Sequence, residues 1–271
     1  MLIGLNEILD LADGFAVPAF NTYNMETVMG VIEAAEECGA PVIIQAYSRL
    51  FASKEAYYLS PIVLAAAEKA SVPVCFHLDH GAGELEVIRA IRYGCTGIMF
   101  DGSALPLQEN IEKTKKIVTT CSYAGIGCEG ELGHIGSTAD SAMSEFTDVR
   151  EAEQFVKETG VTALAIMVGT AHGRYQKAPK LDIRRIEEIH RAVDASLVLH
   201  GGSGVPEEQI RAAVSAGIKK VNFGTDVCYS FLDRVFATSR DTVAIDLFMK
   251  DAIESVKQFA VDKIKLLGAD R

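Results

Sequence analysis

Eight short apolar or β-branched runs, alternating with stretches of helical period, limit this 271-residue chain to few architectures. The runs are AVPAF (16–20), PVIIQ (41–45), VPVCFHL (72–78), TGIMF (96–100), GIGCEGE (125–131), ALAIMV (163–168), SLVLH (196–200) and KKVNF (219–223). Between them lie segments such as METVMGVIEAAEECG and LQENIEKTKKIVTTC, whose apolar residues recur with helical period. Run centres fall about 25–35 residues apart, the length of one strand–helix repeat. The runs are apolar throughout, which suits parallel strands covered on both faces. Eight such units without a linker predict an α/β fold, a closed (β/α)8 barrel. It spans residues 1–271 as one domain with a C-terminal helical extension. An open, doubly wound sheet is the alternative. The stretch from Asp246 to Leu267 is amphipathic and suits packing on the barrel or on a partner.

Charge and composition narrow the partners. The formal net charge of −11 disfavours nucleic acid, whose affinity comes largely from Lys and Arg meeting phosphates. A small anionic ligand is still compatible, because a metal and a few donors reverse a local potential. No apolar stretch reaches the roughly 18 residues of a membrane span. The opening MLIGLNEILDLADGF reads as an amphipathic helix and not as a signal peptide. Six scattered cysteines without a CxxC pair read as reduced thiols of a cytoplasmic protein.

The residues that end each run carry the chemistry. Asn21 follows the first run, Asp79 and His80 the third, and Asp101 and Ser103 the fourth. Glu129 and Glu131 lie in the fifth, His172 follows the sixth, His200 ends the seventh, and Asn222 and Thr225 belong to the eighth. In a parallel barrel these ends share one rim, where active sites form. The polar segment from Gly133 to Asp148 is expected as a loop over that rim. His80, His172 and His200 then supply three neutral ligands and leave a position for substrate, the pattern of catalytic zinc. Asp79 is suited to proton transfer at carbon, or else to orienting a histidine. His77 reads as a support, His190 as a surface residue, and His134 as a loop residue within reach of substrate. HGGSGVPEEQIRAAV follows strand seven; Gly201, Gly202 and Gly204, with Ser203, suit an anion at a helix start near Pro206. Gly224 and Thr225 repeat that pattern after strand eight, and Lys177 adds a cation.

In this order and context HLDHG, MFDGS, EGELG, GTAHGRY, LHGGSG and KVNFGTD resemble the class II ketose-bisphosphate aldolases over nearly the whole chain. The resemblance implies that Asp79 deprotonates dihydroxyacetone phosphate, and that His80, His172 and His200 hold catalytic zinc. A phosphorylated ketose would be cleaved to dihydroxyacetone phosphate and an aldehyde, through a zinc-stabilised enediolate. Glu131 and Asp101 would mark an inner resting place for the metal. Gly173, Lys177, Gly201, Ser203, Asn222 and Thr225 would hold phosphate and hydroxyls, beside a sodium or potassium ion. A homodimer or homotetramer is the assembly implied.

The aldehyde half departs from the family pattern. Fructose-bisphosphate members typically read Asn-Ile-Asp-Thr-Asp, with an arginine soon after; here Gly224 and Cys228 stand at those places. Tagatose-bisphosphate aldolases also lack the middle aspartate, and their HGxYxKxPK spacing resembles HGRYQKAPK. Tyr47 replaces a serine after strand two. Relatives carry Gly-Gly-x-Glu-Asp on the loop, with the glutamate as proton donor; the matching stretch here makes Asp140 a candidate, with water or another group as alternatives. Tyr47-Ser48-Arg49-Leu50 is similar to a stretch in aldolases of 5-dehydro-2-deoxyphosphogluconate. Arg49, or Arg174, would there meet a carboxylate terminus; the other reading of Arg49 is a plain surface residue.

Three rivals remain at this point. A zinc hydrolase on the same barrel usually opens with a His-x-His pair on strand one, which AVPAFN lacks. A non-catalytic partner subunit has no need of Asp79 and three histidines. An imine-forming aldolase needs a lysine at a strand end, and Lys220 at the start of strand eight is expected to point to the opposite end.

Overall fold

The structure, a computed structural model, describes residues 1–136, 146–173, 175 and 177–270. Eight parallel strands close into a barrel in chain order. They are β1 (Val17–Asn21), β2 (Val42–Tyr47), β3 (Val74–Gly81) and β4 (Gly97–Phe100). The second half comprises β5 (Gly127–Leu132), β6 (Ala163–Ile166), β7 (Ser196–Leu199) and β8 (Ile218–Phe223). Each expected run became a strand. β3 continues further than its apolar run suggested, so Asp79 and His80 lie inside it and not after it.

The strands sort their residues by alternation. One set faces the surrounding helices and joins the larger apolar cluster, including Phe20, Ile44, Phe76, Ile98, Leu164 and Leu199. The other set fills the barrel. At the amino ends of the strands Val17, Ala19, Ile43, Cys75, Ala163, Ala165 and Val198 pack against Leu5, Ile8 and Leu9. Those three come from the helix Leu5–Asp10, so the amphipathic opening segment plugs the closed end. The C-terminal helix Ile245–Leu267 packs on the barrel side, burying Ala252, Val256, Ala260 and Ile264. Among the described residues no helix is long and apolar enough to cross a membrane.

Candidate active site

Neighbouring residues of a strand point to opposite faces, yet Asp79 and His80 both line one cavity of about 600 Å³ at the carboxyl ends of the strands. The backbone makes this possible. His80 has φ 51°, the one left-handed residue other than glycine among those described. The β3–β4 register shifts between Leu78 and Gly81, and the His80 N–H donates to Met99 Sδ at 3.4 Å. Such a conformation costs about 1–2 kcal/mol outside glycine, so packing must hold it. Gly81 permits the close approach: a Cβ there would lie 2.5 Å from the Met99 carbonyl oxygen. Gly81→Ala is therefore expected to lower the unfolding free energy by about 1–3 kcal/mol in urea titrations. A variant as stable as the wild type would contradict this role for Gly81.

The three expected histidines converge. Their ring centroids are 4.8 Å (His80–His172), 4.8 Å (His80–His200) and 5.8 Å (His172–His200) apart. One ring nitrogen of each lies within 4.8 Å of the others, and His80, Asp101 and Glu131 form a second group that meets the same limit. Carboxylates assign the tautomers. His80 Nδ1 is 2.8 Å from Asp101 Oδ2, and His200 Nε2 is 2.8 Å from Glu129 Oε1. A carboxylate only accepts, so both those nitrogens carry hydrogen. The remaining nitrogens, His80 Nε2 and His200 Nδ1, face each other at 3.1 Å.

Two lone pairs so placed need a positive charge between them. Without a metal, that charge is a proton on His80. Burial opposes it, but Asp79, Asp101 and Glu131 outweigh burial and raise the His80 pKa to about 10. Burial instead lowers His172 to about 4 and holds His200 well below the usual imidazole range. Burial also raises Glu131 to about 8. Among the described residues Glu131 Oε2 accepts no hydrogen bond and His172 Nε2 makes none, although Glu131 Oε2 lies 3.9 and 3.8 Å from His80 and His200. Facing nitrogens, a carboxylate oxygen without a hydrogen bond and a third imidazole fit a divalent cation.

Asp79 is held by two amides: Asn21 Nδ2 donates to Oδ2 at 2.7 Å, and Asn222 Nδ2 to Oδ1 at 3.5 Å. Arg49, Asp101, Gly173, Gly201, Ser203, Asn222, Gly224 and Thr225 share the cavity wall with them. Gly202 does not; its amide donates to the Asn222 carbonyl at 3.1 Å, because the turn folds back on β8. The Gly204 amide likewise goes to Asp226 Oδ2 at 3.1 Å. Lys177 is exposed and outside the lining. Asp140 and Arg174 lie outside the described residues. Lys220 corrects an expectation: it points into the barrel, fully buried, with Nζ 2.7 Å from Glu129 Oε2. Alternation from Asn222 would have indicated this, since residues two apart share a face.

The family model for class II fructose-bisphosphate aldolase matches residues 4–271. The chain belongs to this family. A sulfofructosephosphate aldolase from Alkalicoccus urumqiensis is 35% identical over 258 residues, covering 93% of this chain and 90% of that protein. The crystal structure of the YdjI aldolase from Escherichia coli K12 superposes with TM-score 0.91 at 34% identity, covering 100% of this chain and 98% of that one. A putative fructose-1,6-biphosphate aldolase from Coccidioides immitis gives TM-score 0.91 at 27% identity, covering 98% and 96%.

In this aldolase the cavity wall also holds side chains that sequence reasoning did not single out. Tyr23, Tyr229 and Leu232 line it together with Tyr47, Arg49 and Cys228. The Arg49 guanidinium carbon stands 4.8 Å from the Tyr47 ring centre and 5.4 Å from that of Tyr23. Among the described residues no carboxylate pairs with it. A Cβ on Gly224 would come within 2.9 Å of Asn21 Oδ1, so the glycine leaves room for Asn21 beside Asp79. His134 also borders the cavity, 3.0 Å from Ser103 Oγ, which donates to Asp101 at 2.7 Å.

Proposed function

We propose that this aldolase is zinc-dependent and reversibly cleaves a phosphorylated ketose to dihydroxyacetone phosphate and an aldehyde. The observation that carries this reading is the pair of tautomer-fixed histidine nitrogens facing each other beside Asp79. His80, His172 and His200 would hold the metal, with Glu131 and Asp101 beside His80 as a second set of ligands. Zinc held there supplies Lewis-acid stabilisation of the negative charge that develops on a substrate carbonyl oxygen.

The protein groups do the rest. In the condensation direction Asp79, fixed by Asn21 and Asn222, takes a proton from the hydroxymethyl carbon of dihydroxyacetone phosphate. It returns that proton to carbon after cleavage. Gly173, Gly201, Ser203 and Thr225 line the part of the wall suited to phosphate. Thr225 opens the helix Thr225–Ala237 at the cavity, where first-turn amides favour an anion. Asp140 is the proposed donor to the aldehyde oxygen. Metal analysis tests the reading: purified protein is expected to carry stoichiometric zinc that His80→Ala loses. Zinc retained in that variant, or absent from a folded wild type, would contradict it.

The substrate's far end is the finer point. Arg49 faces the cavity without a carboxylate partner among the described residues, which favours an aldehyde ending in an anion. A sugar-acid carboxylate fits, as does the sulfonate suggested by the name of the Alkalicoccus relative. Arg49→Ala is expected to raise KM for anionic aldehydes by about tenfold or more, the cost of a charge-assisted hydrogen bond, while leaving neutral aldehydes unchanged. Equal effects on both classes would overturn this assignment.

A further inference from the structure

We infer that Glu129 and Lys220 are positioning residues: together they fix which nitrogen His200 presents to the rim, and the metal site depends on them. This rests on the three-histidine reading above. Lys220 is the one lysine in the buried set, at 0% exposure. Its ammonium donates to Glu129 Oε2 at 2.7 Å. With that oxygen occupied, the carboxylate is aimed so that Oε1 meets His200 Nε2 at 2.8 Å. The ring hydrogen must then sit on Nε2, and Nδ1 turns its lone pair to His80 Nε2 and Glu131.

Asn222 Nδ2 lies 3.1 Å from the same Nε2. Two donors do not bond each other, so this amide serves Asp79 instead. Glu129 is thus the acceptor on which the orientation depends. His77, 3.5 Å from Glu129 Oε2, closes the remaining side. A barrel interior is ordinarily filled with apolar side chains. An ion pair one step below the rim adds little stability over an apolar pair, but a carboxylate on the far nitrogen of a ligand histidine tunes metal affinity.

The test measures zinc affinity by competition with a chelator in folded wild type, Glu129→Gln, Lys220→Met and the double variant. It also reads ring ¹⁵N shifts of the zinc-loaded wild type. Each single change is expected to weaken zinc about 10–100-fold, and the double variant no more than Glu129→Gln alone, because Lys220 acts through Glu129. In the wild type, His200 is expected to bind through Nδ1 with hydrogen on Nε2. Coordination through Nε2 would overturn the inference, and this readout needs no variant to fold. Folded single variants that bind zinc within about twofold of wild type would also overturn it, while loss of zinc in His80→Ala leaves the three-histidine reading standing. Zinc affinity unchanged in a folded His80→Ala variant would instead sink that reading.

Discussion

Asp79→Asn is expected to lower kcat by about 10²–10⁴-fold, the range for removing a positioned proton-transfer group, with zinc content unchanged. The substitution keeps the shape of the side chain. Its oxygen still accepts from one of the two amides, Asn21 or Asn222, that hold the carboxylate now. What is lost is the capacity to take a proton from carbon. If Asp79 merely oriented its surroundings, the amide would serve nearly as well and kcat would fall by much less. The same variant measured in both reaction directions is expected to lose equally, since one group removes and returns the proton.

Removing the metal has an equally large expected effect. Chelation is expected to abolish turnover, and added zinc to restore it. Stability follows by mass action: at a metal concentration 100-fold above Kd, binding contributes about 2.7 kcal/mol. For a chain of this size each kcal/mol corresponds to roughly 2–4 °C in Tm, so the apoprotein should melt several degrees lower. Borohydride with substrate is expected to leave activity intact, because Lys220 is buried in a bond to Glu129 and not presented at the rim. Activity that survives chelation, or is destroyed by borohydride, contradicts the metal-dependent reading.

The barrel was legible because parallel strands covered on both faces leave unbroken apolar runs, and each run recurred at one repeat length. The convergence of His80, His172 and His200 followed from the rule that strand ends share a rim. What the sequence hid is backbone conformation. Nothing in HLDHG states that His80 takes φ 51°; without it alternation would send Asp79 and His80 to opposite faces. The inner layer was read only in part. Glu129 and Lys220 lie two residues before Glu131 and Asn222 and share their face, yet charged residues inside a barrel run against ordinary burial. The part of the cavity wall made by Tyr23, Tyr229 and Leu232 was least legible. Tyr229 and Leu232 sit on the helix after β8 and reach the cavity through helix placement, which no local pattern encodes.

The central claim is that Asp79 exchanges a proton with the carbon of a triose phosphate, and it can be tested without knowing the aldehyde. Zinc-loaded protein is incubated with dihydroxyacetone phosphate in deuterated water, and deuterium at the hydroxymethyl carbon is followed by NMR. The expected result is stereospecific exchange in the wild type that disappears in Asp79→Ala and after chelation. Exchange that persists in Asp79→Ala, or none in a folded and zinc-replete wild type, would contradict the account.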